Sequence, residues 1–414
     1  MATGASSPQP LSTLFREIGA EVDAGAQELV DLCSALVAEP SHNPPGNTRG
    51  VARVMTSWLQ KRGLEARHIA MLDEAPNIVS TVDGAGRGRH IVLNAHMDTI
   101  SPGDEAEWTV PIHNVTRRDG KLWGHGIGNM KGGLAAMCFA LDLLKKHCDG
   151  WHGRVTLSAV SDEVVLGDRG SAFLLERDPM MLGDALLSGE GPGEMGLAVA
   201  EKGVAWLELV ARCPSGQAML VEQGDSAVAR LAQVITRIDE LNRREVEPTN
   251  ALADVQRTPH AFRVSANVGV VRAGTVPNQV ASRAMAQVDL RLPPGLSLEG
   301  IESEIDDIAS GVEGVSWRRL RGWDPSWTST EHPLALAVIE AARCVRSETP
   351  APVVRLPASD ASRWRRRGVP AVCYGPQPTS AVGVDDYVYE RDLIDCAKVY
   401  AIAALQFLSE EASS

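Results

Sequence analysis

The stretch HIVLNAHMDT (residues 90–99) is an apolar run that ends in polar side chains, among them His96 and Asp98. Two similar runs, NIVSTVDG (residues 77–84) and GRVTLSAVSDE (residues 153–163), also end in turn or acidic residues. Residues 132–146, between the stretches 90–99 and 153–163, have the apolar spacing of a helix. Alternation of short apolar runs with helices predicts an α/β domain with a central mixed, mostly parallel sheet.

Composition and charge limit the classes of function. At 414 residues the chain exceeds one ordinary hydrophobic core, so we expect two domains. Its formal net charge of −13 disfavours nucleic acid and anionic membranes as partners, because their phosphates would repel it. No stretch approaches the roughly 18–20 apolar residues of a membrane span, and the N-terminal residues lack a secretion signal. We therefore expect a cytoplasmic protein that acts on small molecules.

A change of pattern in the middle of the chain indicates an inserted module. Between residues 204 and 315 the order is strand, long helix, two strands and helix, which is typical of a small α+β module. Helix–strand alternation then returns and would complete the first sheet. The sequence predicts a catalytic domain made of residues 1–203 and 316–414, with residues 204–315 inserted into it.

Polar residues follow several of the predicted strands. In open α/β sheets ligands bind beyond the carboxyl ends of the strands, so these positions are candidate site residues. His96 with Asp98 two positions later suits a metal ligand and its orienting carboxylate. Glu163 and Glu190 also end apolar runs, and Asn129 lies in the glycine-dense turn LWGHGIGNMKGG (residues 122–133) before a helix. Taken singly, each has a plainer explanation: a loop histidine, a solvated acid or a helix N-cap.

Together these sites resemble one family, the zinc aminoacylase, carboxypeptidase G and succinyl-diaminopimelate desuccinylase metallopeptidases. That family carries GHxD, GRGxxDMKGG, DEE and EP at successive strand ends and a late His followed by acids and Tyr. The resemblance covers nearly the whole chain and includes landmarks outside the candidate site. These are Trp108 with Pro111, Met130–Gly133, Lys202–Gly203, Gly274–Val280, Asp289–Arg291 and Val372–Pro376.

The resemblance implies a fold and a mechanism. The fold is a phosphorylase/hydrolase-like α/β catalytic domain with an inserted ferredoxin-like lid and dimerisation domain. The mechanism uses two zinc ions with a bridging aspartate, and a glutamate as general base. Four residues match retained positions: His96 is the first ligand, Asp98 its orienting acid, Glu163 the base and Glu190 the remaining carboxylate of the first ion.

The other ligand positions differ from the family pattern. Asn129 stands at the bridging aspartate, and a neutral amide is a poor bridge between two dications. Val164 and Val382 stand at the second glutamate and the late histidine, and neither side chain can coordinate a metal. We therefore expect a degraded metal site that needs no cofactor, with one zinc at His96, Asn129 and Glu190 as the alternative.

Further positions come from the same resemblance. His125 stands where the family usually carries Arg, and it is a substitute ligand or a substrate contact. Gln217 stands at the inserted domain's histidine, which reaches the scissile carbonyl, often across a dimer interface; Gln still donates a hydrogen bond there. Asn278 and Arg291 match carboxylate-recognition positions, and Arg291 could grip a carboxylate with two parallel hydrogen bonds.

Three functions remain open from the sequence, with an enzyme favoured. The first is acid/base chemistry by Glu163 on an amino-acid-like or N-acyl amino acid carboxylate, either amide or ester cleavage or a repurposed acyl transfer, cyclisation, elimination or condensation. The second is a zinc amidohydrolase or peptidase with a single ion. The third is an inactive binding or partner subunit. A homodimer formed through the inserted domain is expected in each case.

Overall fold

The computed structural model describes residues 11–379 and 383–409. Within them the helices are α1 (Leu11–Ala24), α2 (Ala26–Val37), α3 (Arg49–Lys61), α4 (Gly132–Lys146), α5 (Ser171–Arg177), α6 (Ala227–Glu240), α7 (Leu298–Ser310), α8 (Pro333–Arg346), α9 (Ala361–Arg365) and α10 (Glu390–Ser409).

The strands of the described residues alternate with these helices. They are β1 (Arg67–Ala70), β2 (Pro76–Asp83), β3 (His90–His96), β4 (Thr116–Arg118), β5 (Lys121–Trp123), β6 (Arg154–Val160), β7 (Ala185–Ser188), β8 (Leu197–Glu201), β9 (Gly203–Arg212), β10 (Ser265–Ala273), β11 (Arg283–Leu292), β12 (Val315–Trp323), β13 (Ser326–Trp327), β14 (Pro352–Arg355), β15 (Ala371–Cys373) and β16 (Tyr387–Tyr389).

The chain divides into two compact units. The first contains residues 11–199, 328–353 and 359–409 of the described part, and the second contains residues 200–327 and 354–358. The domain boundary predicted at residue 315 lies too early in the chain. Strand β12 begins there and pairs with β9 inside the second unit. The pattern missed β12 since its many arginines lack the apolar alternation of a half-buried strand.

The first unit is built on a mixed sheet, which confirms the predicted α/β class. Its strands run in the order β1-β2-β6-β3-β7-β15-β8, with parallel pairs from β6 to β15 and antiparallel pairs toward the edges. Every residue of β3 is buried, as expected for a central parallel strand covered on both faces. β4, β5 and β16 form a separate antiparallel sheet.

Helix α4 packs in the core of the first unit. All its residues from Gly132 to Leu144 are buried. A Cβ on Gly133 would lie 2.6 Å from the Gly189 carbonyl oxygen, so only glycine permits this approach to the loop that carries Glu190. The helical stretch Ile127–Lys146 is long and apolar enough to cross a membrane by length and composition alone, but 94% of its most apolar 18-residue window is buried within the protein, as in a core helix.

The second unit is an antiparallel sheet covered by two helices. Its strand order is β10-β11-β9-β12, and the chain order β9-α6-β10-β11-α7-β12 is that of a ferredoxin-like module. On β11 buried and half-buried residues alternate, because one face of the sheet lies against the apolar core shared with α6 and α7. Leu231, Val234, Ile301 and Ile305 supply helix residues to that core.

Candidate active site

Three ionisable side chains meet at the carboxyl ends of adjacent parallel strands. His96 is the last residue of β3, while Glu163 and Glu190 follow β6 and β7, the two strands that flank β3. One ligand-type atom of each lies within 4.8 Å of the other two. The side chains of His96, Glu163 and Glu190 are only 1%, 7% and 2% exposed. Parallel pairing of the strands therefore gathers residues that lie up to 94 positions apart.

The orientation of the His96 ring directs one nitrogen toward the two glutamates. Its Nδ1 lies 2.8 Å from the carbonyl oxygen of Asp98 and 3.5 Å from the Asp98 carboxylate. Its Nε2 lies 3.7 Å from an oxygen of Glu163 and 3.7 Å from an oxygen of Glu190. This Nε2 is buried and has no hydrogen-bond partner in the described part of the chain. A polar atom in this state is suited to a ligand.

Asp98 positions Glu163 as well as His96. Its carboxylate is wholly buried and accepts hydrogen bonds from the backbone N–H groups of Glu163 (3.1 Å) and Val164 (3.2 Å). The side-chain nitrogen of Asn43 donates a third bond to it (2.9 Å). Asn43 also donates to Asp162 (3.1 Å), so it joins the loop before α3 to the turn after β6. The sequence analysis did not identify Asn43, because its partners are distant in the chain.

The carboxylates and the imidazole change each other's proton affinity. Burial raises the pKa of Glu163 well above its usual value, and the nearby charge of Glu190 raises it further. Burial by itself would lower the pKa of His96, but the charge of Glu163, the interaction with Asp98 and the charge of Glu190 outweigh it, so that pKa is raised. The cluster therefore holds protons more tightly than the isolated side chains would.

Asp360 is a further acid at this cluster that the sequence analysis did not identify. It lies at the start of α9, and its side chain is 5% exposed. One oxygen is 3.3 Å from Nε of Arg363, while the other has no hydrogen-bond partner within residues 11–379 and 383–409. Burial raises the pKa of Asp360, and its carboxyl interacts electrostatically with His96 and Glu190. The acid in SDASRW (residues 359–364) was the signal available, but it resembles an ordinary helix start.

Two of the three substituted positions, Asn129 and Val164, lie within the described residues. The Oδ1 atom of Asn129 is buried and has no hydrogen-bond partner among the described residues. Val164 is half-buried, and its N–H is bonded to Asp98. Val382 lies outside the described residues. His125 does not join the cluster of ligand atoms found in the described chain, and its Nε2 lies 2.9 Å from the Ile100 carbonyl oxygen.

The surroundings of His125 disfavour the charged form of its imidazole. Burial lowers the pKa of His125 to about 4, and the charge of Lys131 lowers it further. With Nε2 donating to the Ile100 carbonyl, its Nδ1 is a buried acceptor that has no partner in the described chain. A substitute ligand role for His125, as predicted, would have to use Nδ1.

The remaining predicted residues belong to the second unit and lie at its two ends. Gln217 and Asn278 are exposed on adjoining loops, where the N–H of Ala218 donates to the Asn278 carbonyl oxygen (3.3 Å). Arg291 is near the other end of β11, and its guanidinium already donates to the carboxylate of Asp289 at 2.9–3.1 Å. The eight residue-to-residue steps of extended strand from 283 to 291 span roughly 26 Å. This unit thus holds Asn278 and Arg291 far apart.

The donor set of the cluster can be compared with the zinc pair that the resemblance implies. An imidazole nitrogen and two carboxylate oxygens are ordinary zinc ligands, and the unpartnered His96 Nε2 faces both carboxylates. These residues fit one divalent ion. At the positions assigned to the second ion, Val164 offers no donor and Asn129 offers only a neutral one.

Known proteins resemble this chain along most of its length. The sequence profile of peptidase family M20/M25/M40 matches residues 92–406. N-formyl-4-amino-5-aminomethyl-2-methylpyrimidine deformylase of Halalkalibacterium halodurans is 25% identical over 334 residues, which cover 77% of this chain and 75% of that protein. A probable succinyl-diaminopimelate desuccinylase of Staphylococcus aureus is 23% identical over 411 residues, covering 93% and 98%. Human carnosine dipeptidase 1 has a similar fold, with a TM-score of 0.75 at 14% identity over 98% of this chain and 100% of that one.

Proposed function

From the premise that this chain belongs to peptidase family M20/M25/M40, and so has that family's hydrolase fold, we propose that it cleaves an amide or ester bond in a small substrate that carries a carboxylate. The observation that carries this proposal is the buried cluster of His96, Glu163 and Glu190 at the carboxyl ends of three adjacent strands. An amino-acid-like or N-acyl amino acid compound is the substrate class we infer.

The relatives support removal of an acyl group. One is named a deformylase and another a desuccinylase, and both names denote loss of an acyl group from the molecule. The structural neighbour is a dipeptidase. An acyl–nitrogen bond is common to these substrates, so we infer an amide as the first bond to test.

Glu163 is the acid/base residue in this proposal. Its carboxylate takes a proton from water as the water oxygen bonds to the substrate carbonyl carbon, and it then delivers that proton to the leaving nitrogen as the C–N bond breaks. The products are a carboxylate and an amine. Asp98 fixes the positions of Glu163 and His96 through the hydrogen bonds described above.

A metal would alter this scheme only at the carbonyl. Held by His96 and Glu190, one zinc ion would act as a Lewis acid toward that group and would leave Glu163 as the acid/base residue. The expectation that the protein needs no cofactor stays a prediction. Ligand atoms of His96, Glu163 and Glu190, one from each, lie close enough together to hold one ion, a set that differs from the His96, Asn129 and Glu190 site predicted from the sequence.

Substrate binding draws on both ends of the second unit. Arg291 would bind the substrate carboxylate, sharing its guanidinium with Asp289, while Asn278 and Gln217 would donate hydrogen bonds to the substrate. Because Arg291 lies far from the other two within one copy, we propose that a second copy supplies the loop of Gln217 and Asn278. The protein would then be a homodimer, and its cytoplasmic location stays a prediction.

The dimer can be tested by mass. We expect sedimentation velocity at micromolar concentration to give one species of twice the chain mass of 44.3 kDa. This test uses the unchanged chain and needs no substitution in the second unit. A single species at the chain mass over the same concentrations would reject the dimer while leaving the catalytic proposal open.

Hydrolysis can be tested with a panel of N-formyl, N-acetyl and N-succinyl amino acids and dipeptides, with release of free amine as the readout. We expect at least one member to be turned over, and the same compound with its carboxylate converted to an amide to lose at least tenfold in kcat/KM, since each charged hydrogen bond contributes about 1.5–3 kcal/mol. Equal turnover of the acid and the amide would reject carboxylate recognition.

Two of the other functions predicted from the sequence, acyl transfer or condensation and simple binding, give different results in this assay. An acyltransferase or a condensing enzyme would consume the acyl compound only in the presence of a second nucleophile. A binding or partner subunit would retain a panel compound without releasing amine. Release of amine with water as the sole acceptor would exclude both.

A further inference from the structure

We propose that the second unit carries an anion-binding site for a phosphate monoester, formed by Arg212, Arg272 and Arg283 at one end of its sheet. The three arginines lie on three adjacent strands, β9, β10 and β11, of a chain whose formal net charge is −13. All three belong to the second unit, and the proposed function uses none of them. The site therefore goes beyond the proposed function and does not depend on it.

Strand pairing places the three arginine side chains on one face of the sheet. Arg283 is paired with Arg212, and directly opposed residues of antiparallel strands share a face. Met285, two positions along β11 and so on the same face, is paired with Arg272. Ala284, between Arg283 and Met285, points into the apolar core on the other face. The arginines thus lie on the face opposite that core, where all three are exposed.

Two of these positive charges are direct neighbours without a counter-charge. Like charges at directly opposed positions destabilise a sheet. Within the described ranges, no carboxylate forms an ion pair with any of the three guanidinium groups. Glu208 shares the face, but it accepts a hydrogen bond from Nε of Arg318 at 2.9 Å, and Arg318, more than Arg283, lowers the pKa of Glu208. A bound dianion would supply the missing counter-charge.

A cavity of about 490 Å³ lies beside Arg272 and Arg283. Its other lining residues in the described chain are small, polar or apolar, and none is acidic: Ala273, Gly274, Thr275, Gln279, Val280, Ala281, Ser282 and Met285. The hydroxyl groups of the threonine and the serine can donate further hydrogen bonds to an anion. The volume is within the range of small-molecule sites, about 300–1,000 Å³.

The number of charges and the size of the cavity favour a phosphate ester. A phosphate monoester carries a charge of about −1.5 to −2 at pH 7 and three strong acceptor oxygens, which suits several guanidinium groups. A carboxylate has one charge and two oxygens, and a single arginine can satisfy both of them. The cavity is larger than inorganic phosphate, and Val280 and Met285 offer apolar surface to the organic part of an ester.

The test is a calorimetric titration of the full chain with phenyl phosphate in about 0.15 M NaCl, where charges more than roughly 8 Å apart are largely screened. We expect one binding site per chain. Benzoate has the same ring with a carboxylate, and inorganic phosphate lacks the ring. Each should bind at least tenfold more weakly than phenyl phosphate, and phenol should not bind.

Arg272→Gln and Arg283→Gln should each weaken the binding of phenyl phosphate at least tenfold, because each removes charged hydrogen bonds. Arg243→Gln is the matched control. Arg243 is also exposed in the second unit, but it follows Asn242, which is bonded to Ala266 near the start of β10, whereas the cavity lies at the end of that strand. The control should bind as the parent does, and thermal melting shows whether each variant is folded.

Three results would overturn the proposal. They are absence of phenyl phosphate binding, parent-like affinity in the two folded arginine variants, and binding of benzoate or inorganic phosphate as tight as that of phenyl phosphate. Sedimentation of the arginine variants checks the other occupant of this face. If the parent binds no phosphate ester and Arg283→Gln halves its sedimenting mass, a second copy of the chain covers the arginines instead.

Discussion

Replacement of Glu163 by glutamine is expected to lower kcat for the best panel substrate by about 10²–10⁴-fold, the contribution of a positioned general acid/base. Gln has nearly the same shape but cannot accept the proton of the attacking water at neutral pH. The carboxyl is 7% exposed and lies 3.7 Å from His96, so bulk water cannot readily replace it. KM should change much less than kcat, because the substrate carboxylate is bound elsewhere.

Glu176→Gln is the matched control for this change. Glu176 is exposed on α5 in the same unit, so the substitution removes the same charge at a site without a catalytic role. Steady-state kinetics should leave it within about twofold of the parent. A Glu163→Gln protein that melts like the parent and keeps kcat within threefold would exclude Glu163 as the acid/base residue.

Asp98→Asn should reduce turnover by about 10–100-fold and the free energy of unfolding by about 1–3 kcal/mol. The carboxylate accepts three hydrogen bonds, from the N–H groups of Glu163 and Val164 and from Asn43. An amide has a single acceptor oxygen, so at least one buried donor loses its partner. Loss of that bond lets the turn after β6 move, which displaces Glu163 from His96.

Kinetics and urea unfolding measure these two effects. Asp104→Asn is the control, because Asp104 caps an exposed turn on the loop after Asp98 and Asn caps such a turn equally well. It should stay within about 0.5 kcal/mol of the parent. If Asp98→Asn unfolded and turned over substrate as the control does, the positioning role of Asp98 would be wrong.

Much of the fold could be predicted from local pattern. Buried parallel strands are short apolar runs bounded by turn residues, so β3 and β6 were readable, and helix α4 follows from its apolar composition. β12 was not readable. Its arginines break the apolar pattern of a strand, because β12 lies at the edge of its sheet. Its pairing partner, β9, begins more than a hundred residues earlier, and a local pattern of side chains does not predict pairing over that distance.

In the candidate site, too, residues marked by local pattern could be predicted and residues placed by long-range contacts could not. His96, Glu163 and Glu190 could be named because each ends an apolar run. Asp360 could not, since its place beside the cluster depends on how α9 packs in the first unit. Asn43 was also beyond prediction, because its bonds reach residues 55 and 119 positions away.

By itself the sequence determined the order of the elements and the chemical groups at the strand ends, since both depend on residues close together in the chain. It also determined that Asn129 and Val164 replace charged residues of the related family. Only the tertiary structure decided that Glu163 lies as close to His96 Nε2 as Glu190 does. That distance is set by the parallel pairing of β3 with β6 and β7 and by the hydrogen bonds of Asp98, which are contacts between distant residues.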